Sequence, residues 1–178
     1  MAQIGSGCTI MNNEEKNTFA KEQITEAFLR LLKDSELSQI TIVQITTEAQ
    51  VSRNSFYRNY QDKEEILLQH IKHLITRWNA EYDLNNNQSD KEMFGSLFHH
   101  LKEKRDFYLL LKKRNLFHLF LNVFVEIYGA KREYDNMGAY AASFIAYGVY
   151  GWIEEWIGRG MQESAETMSA LLATSGMK

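Results

Sequence analysis

Thr41-Ile42-Val43-Gln44-Ile45-Thr46-Thr47-Glu48-Ala49-Gln50-Val51-Ser52-Arg53-Asn54-Ser55-Phe56-Tyr57-Arg58-Asn59-Tyr60-Gln61-Asp62-Lys63-Glu64-Glu65-Ile66-Leu67 places three helix starts in one short stretch. Thr41 and Gln44 have capping-box spacing, in which the Thr41 hydroxyl accepts from the Gln44 amide. The helix so opened is brief, over residues 42–49, with Ile42, Ile45 and Ala49 facing inward. Ser52 can cap another short helix over residues 53–60. Asp62 followed by Lys63-Glu64-Glu65 opens a long one, its carboxylates matched to the positive end of the helix dipole. Ile66, Leu67, His70, Ile71, Leu74, Ile75, Trp78 and Tyr82 continue that helix at helical spacing.

Upstream, Ala20, Ile24, Ala27, Phe28, Leu31 and Leu32 form the apolar stripe of an amphipathic helix over residues 14–34. A polar connection over 35–39 separates it from Thr41. Long, short, short and then a capped long helix match a helix-turn-helix motif in a small N-terminal bundle. Ala49 supplies the small side chain that lets the two short helices approach, and Val51 packs back after the turn. The second short helix then presents Arg53, Asn54, Ser55, Arg58 and Asn59, donors and acceptors able to reach base edges or phosphates. Backbone amides at helix starts, at Ser52 and again at Lys63, are free phosphate donors.

Composition narrows the classes. With 178 residues, 44% hydrophobic, the chain can bury a core. The single cysteine, Cys8, excludes a disulfide-stapled scaffold and a thiolate zinc cage, and the absence of proline leaves long helices unobstructed. A net charge of −3 confines any nucleic-acid surface to a local patch. Residues 1–13 read as a flexible tail without the basic start and apolar run of a secretion signal, so the expected setting is cytoplasmic. Residues 84–90 are polar and read as a loop, and Ser89 to Glu92 has capping-box spacing. Helical stripes follow over 94–104, 107–112, 116–128, 138–157 and 164–173, with no strand-like alternation. The expected class is all-α: a helix-turn-helix domain over 14–62, followed by a helical effector-binding and dimerisation domain over 63–178.

The residues around the turn resemble the DNA-binding signature of the TetR family of transcriptional regulators. The match covers about 19–71 and rests on Thr41 to Ile45, Ala49 to Ser52, and Phe56 to Leu67 in register. The resemblance implies that Tyr57 and Lys63 contact the DNA backbone. It also implies a homodimer on a palindromic operator, acting as a repressor released by an unknown small-molecule effector. Tyr60 stands where the family usually has Phe, and Gln50 where it has a turn glycine. A left-handed conformation at Gln50 costs on the order of 1 kcal/mol. The candidate DNA-contacting set is Thr41, Ser52, Arg53, Asn54, Ser55, Tyr57, Arg58, Asn59 and Lys63. Residues 107–111, 117–120 and 147–157 look like a C-terminal domain common in TetR-type regulators of low-GC Gram-positive bacteria. Some of those activate or bind other proteins, so a partner-dependent coactivator of the same fold is the alternative.

In the second half, Trp78, Phe94, Phe98, Phe107, Phe117, Phe120, Tyr128 and Tyr147 are equally readable as a ligand cavity between helices or as an ordinary aromatic core. Residues 137–153 carry no charge yet are too short and too rich in Gly, Ala, Ser and Tyr for a membrane span, so a second copy is expected to cover them. Ala142, Ala146, Val149, Trp152, Ile153 and Trp156 are the expected dimer contacts. No catalytic residue, cofactor or metal is expected. His70 with His73, and His99 with His100, lack completing ligands; Glu154 and Glu155 point to different sides of a helix; and no nucleophile or phosphate-loop motif occurs.

Overall fold

A computed structural model of the chain describes residues 12–85 and 90–174, and the described residues are helical with short connections. The helices are α1 (Asn13–Asp34), α2 (Ile42–Glu48), α3 (Arg53–Asn59), α4 (Lys63–Asn85), α5 (Asp90–Glu103), α6 (Arg105–Lys113), α7 (His118–Tyr128), α8 (Asn136–Gly158) and α9 (Ala165–Thr174). A single 3₁₀ turn, Leu37–Gln39, joins α1 to α2. Two compact units divide between Ile66 and Leu67, inside α4, a few residues beyond the expected 62/63 boundary.

The caps explain most of the boundaries. Thr41 and Gln44 form the expected capping box, Ser52 accepts from the Ser55 amide at 3.0 Å, and Asp62 accepts from the Glu65 amide at 2.9 Å. Two starts were not anticipated. Asn12 and Glu15 make a capping box, so Asn12 and Asn13 belong to α1 and not to a tail. Asp135 accepts from the Gly138 amide at 2.7 Å and begins α8 ahead of 138. The expected tail up to residue 11, with Cys8, and the expected cap at Ser89 lie outside the described residues.

In the first unit α2 and α3 both pack on α1 and on each other. Ile24, Ala27, Phe28 and Leu32 of α1, Ile45 and Ala49 of α2, and Phe56 of α3 are buried together with Ile40, Tyr60 and Ile66. Burial raises the Tyr60 pKa, while the Thr25 hydroxyl, 3.3 Å from the phenol oxygen, opposes the shift. The turn between α2 and α3 is a Schellman motif. The Val51 amide donates to Thr46 O at 3.0 Å, and Gln50 sits left-handed with φ 54°. Gln50 is exposed, so its side chain does not compensate by burial. Gln50→Gly relieves about 1 kcal/mol of local strain but raises unfolded-chain entropy. The expected result is a net gain of about 0.5 kcal/mol in a denaturant titration; a loss would show that the side chain earns its place.

In the second unit α5 pairs with α9, and α8 packs against α7 and α6. Phe117, Phe120 and Phe124 stack along α7 at 5.2 and 5.5 Å, Tyr150 of α8 stacks on Phe117, and Tyr108 of α6 meets Phe120 edge-on. Cations from α5 and α6 hold the α8–α9 connection. Lys102 donates to Met161 O and Glu163 O, and Arg105 to Gly160 O, while Lys112 pairs with Glu154 inside α8 at 2.9 Å. Among the described residues no helix is long and apolar enough to cross a membrane.

Candidate nucleic-acid interface

The seven residues of α3 sort by angle, since successive positions turn by about 100°. Arg53, Asn54, Tyr57 and Arg58 fall within one arc and are all exposed, Tyr57 to 59%. Phe56 and Asn59 lie on the opposite side and are buried. The helix therefore offers solvent two guanidinium groups, one amide and one phenol, on a backbone fixed by the Ser52 cap and the Phe56 anchor. Arg58 also reaches the Ser55 hydroxyl at 3.4 Å, which biases its side chain along the helix.

Several candidates hold other positions than a free reading face requires. Asn59 is buried and donates its amide to Ser55 O at 2.8 Å, so it braces α3 from within. Thr41 and Ser52 are exposed, but their hydroxyls are engaged as caps. Ser55 is half-buried and its hydroxyl receives Arg58. Lys63 departs furthest from expectation. Its ammonium is half-buried and donates to Leu37 O at 2.7 Å and Ile40 O at 2.6 Å. It thus ties the first turn of α4 to the 3₁₀ turn that delivers Thr41.

The aromatic candidates of the second unit mostly fill space. Trp78, Phe98, Phe117 and Phe120 are buried, Phe94, Phe107 and Tyr128 are half-buried, and Tyr147 lies on the outside. Trp78 donates to the Ser96 hydroxyl at 2.9 Å, and Tyr128 to Asn79 at 3.3 Å. His70 of α4 abuts the Phe107 ring edge-on. Burial pushes its pKa down to about 4, aided by the nearby positive charge of His73 and Lys104. A groove of about 320 Å³ lies elsewhere, lined by Gly151, Trp152 and Trp156 of α8 and Met168 and Leu171 of α9, with Glu155, Arg159 and Glu163 at its rim. None of the eight aromatic candidates lines it.

The expected dimer contacts lie on the side of α8 that packs within its own unit. Ala146, Val149, Ile153 and Trp156 are buried within their own unit, and Ala142 and Trp152 are half-buried. They share the stripe of α8 that packs inward. The outward stripe carries Met137, Tyr140, Phe144 and Tyr147, all large and all exposed. An apolar helix with two apolar faces shows no polar side in the sequence, so periodicity alone does not tell core from interface. The absence of charge over 137–153 is the only sequence signal for the outer face.

An all-helical chain whose two short N-terminal helices meet at a tight turn, followed by a larger helical unit, has the organisation of a helical transcriptional regulator. Residues 88–175 match the TetR-type family described as a transcriptional regulator C-terminal region. The chain is 30% identical over 168 residues to the uncharacterised HTH-type transcriptional regulator YxbF of Bacillus subtilis (strain 168), covering 84% of this chain and 43% of that protein. It is 28% identical over 104 residues to YerO of the same organism, also an uncharacterised HTH-type transcriptional regulator, covering 54% of this chain and 36% of that protein. This chain spans less than half the length of these curated relatives. The solved structure of the dihydroxyacetone kinase operon activator DhaS shares the fold, with a TM-score of 0.52 and 23% identity over 87% of this chain and 92% of its own. These matches support a transcriptional regulator of the TetR type.

Proposed function

We propose that this chain is a sequence-specific DNA-binding regulator that binds a palindromic operator as a homodimer and represses transcription until a small-molecule effector releases it. The exposed arc of Arg53, Asn54, Tyr57 and Arg58 on α3 carries the reading. Arg53 and Asn54 lie in the first turn and are suited to base edges, where Arg pairs with guanine and Asn with adenine. Tyr57 donates to a phosphate, and the open amides at the start of α4 add a second backbone contact. Asn59 and the Lys63 ammonium support this face from behind. An effector acts by binding better to a conformation that does not fit the operator, lowering DNA affinity by that difference.

The test is a titration of affinity against salt on operator and scrambled DNA, after circular dichroism has confirmed the fold. Arg53→Ala and Asn54→Ala are expected to lose about 1–3 kcal/mol each, confined to particular base pairs and repeated in both half-sites. Tyr57→Phe weakens binding evenly across sequences. If a folded, dimeric sample enriches no genomic fragment, and Arg53→Ala changes nothing, the reading fails. The partner-dependent coactivator then takes its place.

A further inference from the structure

Val43 lies in the first turn of α2 and is 46% exposed. Thr47, one turn on, is exposed as well, and the two lie within about 40° of each other around the helix. Ile45, Thr46 and Ala49 form the buried side of the same element. Glu48 pairs with Arg30 of α1 at 3.0 Å, which fixes the edge of α2 that lies along α1. Val43 and Thr47 therefore occupy the other edge, turned away from α1. The helix α3 packs on α1 too, and its exposed arc of Arg53, Asn54, Tyr57 and Arg58 also faces away from it. The apolar edge of α2 and the polar arc of α3 thus open on the same side of the first unit.

Folding alone gives little reason for valine at position 43. A β-branched residue is a weaker helix former than alanine, and a side chain left half in water gains little by burial. The position is nevertheless rigidly built. Thr41 caps the turn, and the Thr46 hydroxyl donates back to Ile42 O at 2.9 Å, with Val43 O at 3.2 Å. Valine in a helix also keeps a single χ1 rotamer about nine times in ten. Its two methyls are thus held in place before any partner arrives. They cannot donate to a phosphate. In a major groove, the group that matches a fixed aliphatic surface is the 5-methyl of thymine.

We propose that Val43 reads the 5-methyl group of one thymine in each operator half-site, so that α2 adds an apolar specificity contact to the polar ones of α3. This rests on the DNA-binding reading above and extends it to a second helix. The experiment uses the full chain and the operator recovered from genomic fragments. Each thymine of that operator is replaced in turn by deoxyuridine, which lacks only the methyl. The wild-type chain loses affinity about fourfold at one thymine per half-site, the effect of uncovering one buried methyl. Val43→Ala, a change at an exposed position whose fold circular dichroism checks, binds the intact operator more weakly by a similar factor. It no longer distinguishes thymine from deoxyuridine at that position. A wild-type chain that binds no operator overturns the DNA-binding reading and this proposal together. A wild-type chain that binds its operator but tolerates deoxyuridine at every thymine overturns only the proposal. A sensitive thymine whose penalty persists in Val43→Ala does the same.

Discussion

Lys63→Met is expected to lower stability and operator affinity while leaving the salt dependence of binding unchanged. Methionine keeps much of the aliphatic stem but withdraws the ammonium from Leu37 O and Ile40 O. Hydrogen bonds from a charged donor contribute about 1.5–3 kcal/mol each, and water can recover part of that at half-buried Leu37 more readily than at buried Ile40. A loss of about 1–3 kcal/mol is therefore expected, or several degrees of melting temperature for a unit of this size. DNA affinity falls because the 3₁₀ turn that presents Thr41 and α2 is released. The slope of log affinity against log salt stays the same, since the lost charge neutralised carbonyl dipoles and not a phosphate. A slope reduced by about one unit per half-site, with an unchanged melt, would instead place the ammonium on the DNA backbone.

The second large effect lies at Phe120. It is fully buried, stacked on Phe117 and Phe124, and met edge-on by Tyr108. Truncation to alanine removes a ring that these neighbours cannot collapse to replace, and Phe-to-Ala changes in such cores cost about 3–5 kcal/mol. Chemical denaturation of Phe120→Ala measures it. A cost below about 1 kcal/mol would mean that the ring already borders empty space, as the cavity reading of these aromatics requires. Tyr108 sharpens the contrast: its hydroxyl is buried without a partner, and burial alone holds its pKa above the usual tyrosine value.

The first unit was largely legible in the sequence because its signals are local. Thr41, Ser52 and Asp62 act within three residues of themselves, and each cap stands where spacing placed it. Gln50 was legible as a strained turn for the same reason, and its φ of 54° has the left-handed value. Asn59 could have been set aside on angle alone, since it shares the buried side of α3 with Phe56. Lys63 could not, because its partners are carbonyls more than twenty positions away, and no spacing rule reaches that far. The same limit applies to α8. Ala146 and Phe144 are both apolar at helical spacing, and only packing against α6 and α7 decides which of them is covered.

The boundary inside α4 bears on dissection of the molecule. Cutting after Ile66 would leave the first unit only Lys63 to Ile66 of that helix. A segment that short closes a single turn at most, and isolated helices below about 12–15 residues are marginal in water. The ammonium that steadies the 3₁₀ turn would then hang from a frayed stub. The first unit thus takes part of its rigidity from a helix that lies mostly in the second, and a fragment meant to isolate it has to extend well past the point where its own packing ends.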